Sequence, residues 1–193
     1  MESLAQIYSR YQGPVDLGCG DKGTVHSYIE VYEKLLADYR LTAQRVLEIG
    51  ILTGVSLRMW EEYFFRSEVH GVDLCAQPLN GLADLRPLIA EGTHHISLLD
   101  ATEHDQVEAH FAGMVFDVII EDASHAFEHQ LAIYANFQPH LAKNGLYVIE
   151  DIADLDTARS TFEQIDSSRQ IHILDRRNLK GRFDDVLIVI GPR

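Results

Sequence analysis

The sequence predicts an α/β domain built on a doubly wound, seven-stranded sheet, mostly parallel, with an antiparallel last strand. Three observations predict it. Apolar runs rich in Val, Ile and Leu recur seven times along the 193 residues. The first five are near-continuous rather than alternating, and each is separated from the next by a segment long enough for a helix, the pattern of parallel strands covered on both faces. The last two runs are joined only by "RRNLKGRFD", too short for a crossover helix, so they should pair as an antiparallel hairpin at one edge.

In chain order, residues 1–44 carry the polar "GCGDKGTVHSY" and then the helical "IEVYEKLLADY". This part is expected to be a helical lid over the carboxyl ends of the strands, with 45–193 as the α/β core of a single domain. The predicted strands are "RVLEIGI" (45–51), "VHGVDL" (69–74), "HHISLLD" (94–100), "FDVIIED" (116–122), "GLYVIED" (145–151), "QIHILD" (170–175) and "DVLIVI" (185–190). Helices are predicted at "SLRMWEEYF" (56–64), "DQVEAHFAG" (105–113) and "HQLAIYANFQPHLAKNG" (129–145), the last ending at a C-cap-like Asn144-Gly145.

Composition narrows the class. A hydrophobic fraction of 46% against 24% charged is that of an ordinary soluble globular chain. A chain of this length can bury most of its apolar surface without disulfides or metals. The net charge of −14 repels phosphate backbones and anionic membranes, and no basic patch offsets it, so neither is an expected partner. The start "MESLAQIYSRYQG" has no apolar signal core, and Cys19 and Cys75 fit a reducing compartment, which together suggest the cytoplasm.

In open α/β sheets ligands bind beyond the carboxyl ends of the strands, where strand order reverses. The first strand runs into "EIGILTG", in which Gly50 lets a ligand approach the backbone closely. A dinucleotide fingerprint fails at Leu52 and Val55, and no phosphate loop is present. Asp73, at the end of the second strand, can accept both hydrogen bonds of a ribose diol. Asp100, at the end of the third, can accept from an adenine amino group; either aspartate can alternatively cap the next helix. The series E-x-G-x-x-x-G, Asp, Asp, with an antiparallel last strand, resembles the class I S-adenosylmethionine-dependent methyltransferases, which have a Rossmann-like fold. That resemblance implies S-adenosyl-L-methionine as cofactor, with Glu48, Gly50, Gly54, Ser56, Asp73, Leu74, Asp100, Ala101 and Glu121 around it.

"FDVIIEDASHAFEH" supplies the candidate chemistry. Asp122 ends the fourth strand and Asp151 the fifth, and neighbouring strand ends lie about 5 Å apart. Two carboxylates so placed repel unless a cation lies between them. Hard oxygen ligands with no cysteine nearby point to Mg²⁺, and a hydroxyl bound to it becomes more acidic. His125, with an ordinary pKa of about 6.5, is placed to take that proton as general base. The expected reaction is deprotonation followed by in-line methyl transfer to oxygen. Two other readings of the cluster stand beside it. Asp122 or Ser124 caps the following helix, which leaves Asp151 unexplained, or Asp122, His125 and His129 hold zinc through the i, i+4 spacing of the histidines.

"DKGTVHSYIEVYEKLL", "VLEIGILTGVSLRMW", "GVDL", "EDASH" and "VIEDI" resemble the methyltransferase domain of the macrocin and mycinamicin sugar O-methyltransferases, Mg²⁺-dependent enzymes that act on glycosylated antibiotics. The resemblance implies metal ligation by Asp122 and Asp151, with Glu150 or Glu48 as third acidic ligand and His125 as base. It also implies a small hydroxylated acceptor, such as a sugar or glycosylated natural product; homo-oligomers are compatible with it. Those enzymes often carry an additional N-terminal domain that helps form the acceptor pocket, which this chain is not expected to have. The segment from Gly20 either folds over the cofactor, with Asp21, Lys22, His26 and Tyr28 facing the site, or is a helix start capped by Thr24. Glu128 and His129 are read as helix surface. Two further function classes are a metal-dependent oxidoreductase of the cephalosporin hydroxylase-like type and a non-catalytic adenosyl-ligand binding module.

Overall fold

The computed structural model describes residues 1–12, 20–76 and 84–193. Its strands are β1 (Arg45–Ile49), β2 (Glu68–Asp73), β3 (His95–Leu98), β4 (Phe116–Glu121), β5 (Leu141–Ile149), β6 (Gln170–Asp175) and β7 (Val186–Gly191). They form one sheet in the order β3-β2-β1-β4-β5-β7-β6. β1 to β5 run parallel, and β7 is antiparallel to both β5 and β6. The final hairpin is therefore present, with β7 inserted between β5 and β6. Burial explains that order: every residue of β7 is buried, whereas β6 alternates with exposed positions and suits an edge.

Helices α1 (Leu4–Tyr8), α2 (Ile29–Leu35), α3 (Val55–Tyr63) and α4 (Arg86–Glu91) cover one face. The other is covered by α5 (His104–Phe111), α6 (Phe127–Phe137) and α7 (Leu155–Ile165), while α8 (Arg177–Lys180) lies in the β6–β7 connection. Alternation along the strands divides the core into two layers. Val46 packs with Trp60 and Tyr32 on the first face, and Leu47 and Ile49 with Phe111 and Ile133 on the second. Among the described residues no helix is long and apolar enough to cross a membrane.

The helix expected over 129–145 is shorter. α6 stops at Phe137, a 3-10 turn spans Gln138–His140, and Leu141 opens β5. Pro139 has no amide to continue the helical ladder, which fits the break. Asn144-Gly145 is thus no helix cap but an irregularity inside β5, where Phe116 pairs with Leu141 yet Val118 pairs with Leu146. A Cβ on Gly145 would lie 3.0 Å from the carbonyl oxygens of Ala142 and Asp117, so glycine permits the close strand approach. Thr24 is no cap either: α2 begins after Tyr28 without a side-chain cap bond, and the Thr24 hydroxyl donates to the Gly20 carbonyl.

β1 has β2 on one side and β4 on the other, so strand order reverses between β1 and β4. The cleft sits at the carboxyl ends of these strands.

Candidate active site

A cleft of about 430 Å³ opens there, a volume suited to a small organic ligand. Its walls are the loop after β1, Asp73 and Leu74 after β2, Asp100 and Ala101 after β3, and Asp122 to His125 after β4, with Gly20 and Asp21 from the N-terminal segment.

Six of the expected cofactor residues line this space: Gly50, Ser56, Asp73, Leu74, Asp100 and Ala101. Asp73 is oriented by the β1 loop, its Oδ2 accepting the amides of Ile51 at 3.1 Å and Leu52 at 2.9 Å. Asp100 Oδ1 accepts the amide and hydroxyl of Thr102, at 2.9 and 2.6 Å. It does not cap α5, which begins after Glu103.

Glu48, Gly54 and Glu121 are placed for support. Glu48 is fully buried, accepting from the Trp60 indole at 3.0 Å and the Ser56 hydroxyl at 2.8 Å. Gly54, at φ +73°, opens α3, and Leu88 fills the space a Cβ would take. Glu121 faces the other layer of the sheet. Burial pushes its carboxyl up to about 8, only partly opposed by the Ala123 amide at 3.2 Å. Gly50, at φ +88°, is required by the chain itself as well: a Cβ there would lie 2.2 Å from the Asp122 carbonyl oxygen.

Asp122 and His125, which line the cleft, come together with the buried Asp151 behind them. Each offers one ligand atom, all within 4.8 Å of one another, and among the described residues this is the one such group of three. The His125 ring lies between the aspartates, Nε2 at 3.1 Å from Asp122 Oδ1 and Nδ1 at 3.5 Å from Asp151 Oδ2. His125 and Asp151 both have φ +57°, a left-handed backbone that costs a side-chain-bearing residue about 1–3 kcal/mol. Such strain persists only where surrounding structure imposes it, and here it aims both side chains at one point.

The remaining oxygens of the two aspartates are held by the N-terminal segment. Lys22 Nζ lies 2.6 Å from Asp122 Oδ2, and the Tyr28 hydroxyl donates to Asp151 Oδ1 at 2.7 Å. His26 stacks on Tyr28 and approaches Asp151 Oδ1 at 3.3 Å. The structure thus brings Lys22, His26 and Tyr28 to the two aspartates. Lys22 also contacts Glu150 Oε1 at 2.7 Å and Glu48 Oε1 at 3.5 Å. Glu150 accepts the Tyr32 hydroxyl too, at 2.5 Å. Glu150 therefore reaches Asp122 through the Lys22 ammonium and stands outside the three-residue group, because successive residues at a strand end point to opposite sides.

The other readings of this cluster do not hold. α6 begins after Ala126 with no side-chain cap bond, so neither Asp122 nor Ser124 caps it. His125 precedes that helix, and His129 Nδ1 is 2.7 Å from the Ser124 hydroxyl, so the i, i+4 histidine pair is not formed.

The charges are strongly coupled. Burial opposes ionisation of Asp122, but Lys22 and the hydrogen bond and charge of His125 bring its pKa down to about 2. Burial likewise opposes the His125 imidazolium, but Asp122, then Asp151 and Glu121, raise it to about 9. Lys22 loses hydration, yet Asp122, Glu150 and Glu48 hold its pKa well above the usual lysine value. Burial and the neighbouring Asp122 push Glu150 well above the carboxylate range, and the same two causes raise Asp151. The chain's own charges therefore keep a proton on His125 at neutral pH.

Sequence reasoning missed Tyr32, Ser27 and Asp185. Asp185 is fully buried and accepts the Ser27 amide at 3.1 Å and hydroxyl at 2.6 Å. The paired aspartates opening the last strand, "FDDVLIVI", were the available signal, since a charge beside a buried strand needs a partner.

A family model described as "Methyltransferase domain" matches residues 47–152. The chain is 32% identical over 139 residues to the 8-demethyl-8-alpha-L-rhamnosyl tetracenomycin-C 2'-O-methyltransferase of Streptomyces olivaceus, covering 68% of this chain and 35% of that protein. It is 32% identical over 156 residues to the mycinamicin VI 2''-O-methyltransferase of Micromonospora griseorubida, covering 77% of this chain and 36% of that one. The chain thus spans about a third of the length of these curated relatives. Among solved structures, the MycE methyltransferase from the mycinamycin biosynthetic pathway, in complex with Mg, SAH and mycinamycin VI, superimposes with a TM-score of 0.73 at 22% identity, over 99% of this chain and 54% of that one. At that identity the likeness is one of fold.

Proposed function

We propose, from the premise that this chain belongs to the methyltransferase-domain family, that it is an S-adenosylmethionine-dependent, Mg²⁺-assisted O-methyltransferase acting on a hydroxyl of a sugar or glycosylated small molecule. The observation that carries this reading is the Asp122–His125–Asp151 group, two of whose members, Asp122 and His125, line the cleft at the strand switch. The names of the relatives support it, since they are O-methyltransferases of glycosylated compounds.

The residues fit both groups. Asp73 and Asp100 present carboxylates in a cleft of suitable volume for the adenosyl part of the cofactor. For the metal, Asp122 Oδ1 and Asp151 Oδ2 are hard oxygen donors turned toward one space, their partner oxygens being held by Lys22 and Tyr28. Asp122 and Asp151 would hold Mg²⁺, while Glu150, joined to Asp122 through Lys22, stands behind them outside the ligand group. When bound, the divalent charge makes a ligated hydroxyl more acidic and takes up the charge of the two aspartates. His125, beside both aspartates, would take the acceptor's hydroxyl proton as general base. The cleft walls would hold the acceptor oxygen near the cofactor, whose sulfonium would supply the methyl group, the C–O bond forming as the C–S bond breaks. A redox-iron reading has one histidine where such centres use two, and the family match is to methyltransferases.

Titration calorimetry with S-adenosylmethionine tests the reading: the wild-type protein binds, and absence of binding sinks it. In the same assay His125→Ala keeps cofactor affinity within about two-fold while turnover falls about 10²–10⁴-fold, the usual contribution of a general base.

A further inference from the structure

We infer that Lys180, in α8 on the β6–β7 connection, is a positioning residue for the active site, clamping the 20–28 segment whose side chains orient Asp122 and Asp151. Its Nζ lies 2.6 Å from the Gly23 carbonyl oxygen, 2.9 Å from that of Thr24 and 2.6 Å from that of His26. An ammonium has three donors, and all three go to one turn, with no carboxylate among these partners. Hydrogen bonds from a charged donor are the stronger kind.

The clamp is built at both ends. α8 closes on Gly181, whose φ of +72° and amide bond to the Arg177 carbonyl stop the helix directly after Lys180. The turn is drawn together by the amides of Thr24, Val25 and His26 converging on the Asp21 carbonyl. Arg176 adds a contact to the Ser27 hydroxyl at 3.1 Å, and the Asp184 carbonyl stands 3.1 Å from the Tyr28 hydroxyl. One connection, more than 140 residues further along the chain, therefore fastens the segment that carries Lys22, His26 and Tyr28.

The consequence runs to the cleft. Gly20 and Asp21 line it, and Lys22 and Tyr28 fix the two aspartates. If Lys180 is lost, the docked segment becomes one of several conformers, and apparent ligand affinity falls by the fraction that remains docked. Lys180 itself is exposed, so its replacement leaves the core intact.

The inference rests on the proposed cofactor only in its second readout. Lys180→Met keeps the aliphatic stem and removes the donors. Hydrogen–deuterium exchange of peptides covering 20–28 should speed up about tenfold while β1 and β4 are unchanged. The Kd for S-adenosylhomocysteine should rise about five- to tenfold. Lys180→Arg, which retains several donors, should recover most of both effects. Unchanged exchange at 20–28, an equal rise throughout the sheet, faster exchange with unaltered Kd, or an arginine variant no better than methionine would each overturn it. Failure of the wild-type protein to bind S-adenosylhomocysteine would count against the cofactor assignment instead, leaving the exchange result to decide the clamp.

Discussion

Asp122 and Asp151 each turn one oxygen to His125 and have the other held, by Lys22 and Tyr28 respectively. The histidine proton is therefore a property of its neighbours. Replacing Asp122 by Asn should lower the His125 pKa from about 9 toward its ordinary value of about 6.5, read by NMR of the imidazole in metal-free protein. The linkage has a definite sign. A folded-state pKa raised to about 9 gives stability that is complete below about 6.5 and is lost as pH rises through 9. Metal-free wild type should thus lose thermal stability between those values, and Asp122→Asn should lose less. Asp122 acts in the opposite sense, its contribution being present above about 3.9 and lost as pH falls through 2. Lys22 is the other decisive residue. Lys22→Met leaves Asp122, Glu150 and Glu48 without their buried counter-charge, and breaking such a set from one side costs about 3–5 kcal/mol. Urea unfolding measures it, and a loss below about 1 kcal/mol, the range of an exposed pair, would show that the ammonium is not the keystone of the cluster.

At the scale of elements, the exit of β1 and the exit of β4 are a single packed unit. Gly50 meets the backbone of Asp122 and Ala123, so an alanine there strains its own φ and also pushes away the strand end that carries the aspartate. Gly92 has a comparable φ of +67° but nothing within 4 Å of its missing Cβ. The strain term, about 1–2 kcal/mol, is shared by both sites, and overpacking adds about 1–3 kcal/mol at Gly50 alone. Gly50→Ala should therefore destabilise more than Gly92→Ala by about that second amount, and equal effects in denaturant unfolding would contradict this packing. Near-continuous apolar runs such as "FDVII" announced their strands because a strand buried on both faces has no polar side to interrupt it. "HLAKNG" misled because a helix cap and a strand irregularity both favour Asn-Gly, and only the pairing of β5 with β4 distinguishes them.

Over the whole molecule the net charge is −14, and beside the cleft Asp122 and Asp151 meet the buried Lys22 and His125. A divalent cation that binds only the folded chain stabilises it by mass action, about 2.7 kcal/mol at a hundredfold excess over its Kd. Calorimetry should show the unfolding temperature rising with Mg²⁺ and falling back with a chelator, and Asp151→Asn should abolish the shift. An equal shift in that variant would place the ion elsewhere on the acidic surface.

The sequence by itself determined the sheet, the position of the cleft at the strand ends, and the two aspartates that face each other across β4 and β5. These follow from local periodicity and from the spacing of adjacent parallel strands, which short stretches of chain carry. Only the tertiary structure decided that Glu48 is an internal anchor, that Lys22 joins three carboxylates, that His125 and Asp151 take left-handed backbones, and that Lys180 fastens the segment above them. Most of these depend on contacts between residues distant in sequence, where burial and charge balance decide the partners, and no local pattern encodes which polar groups will meet.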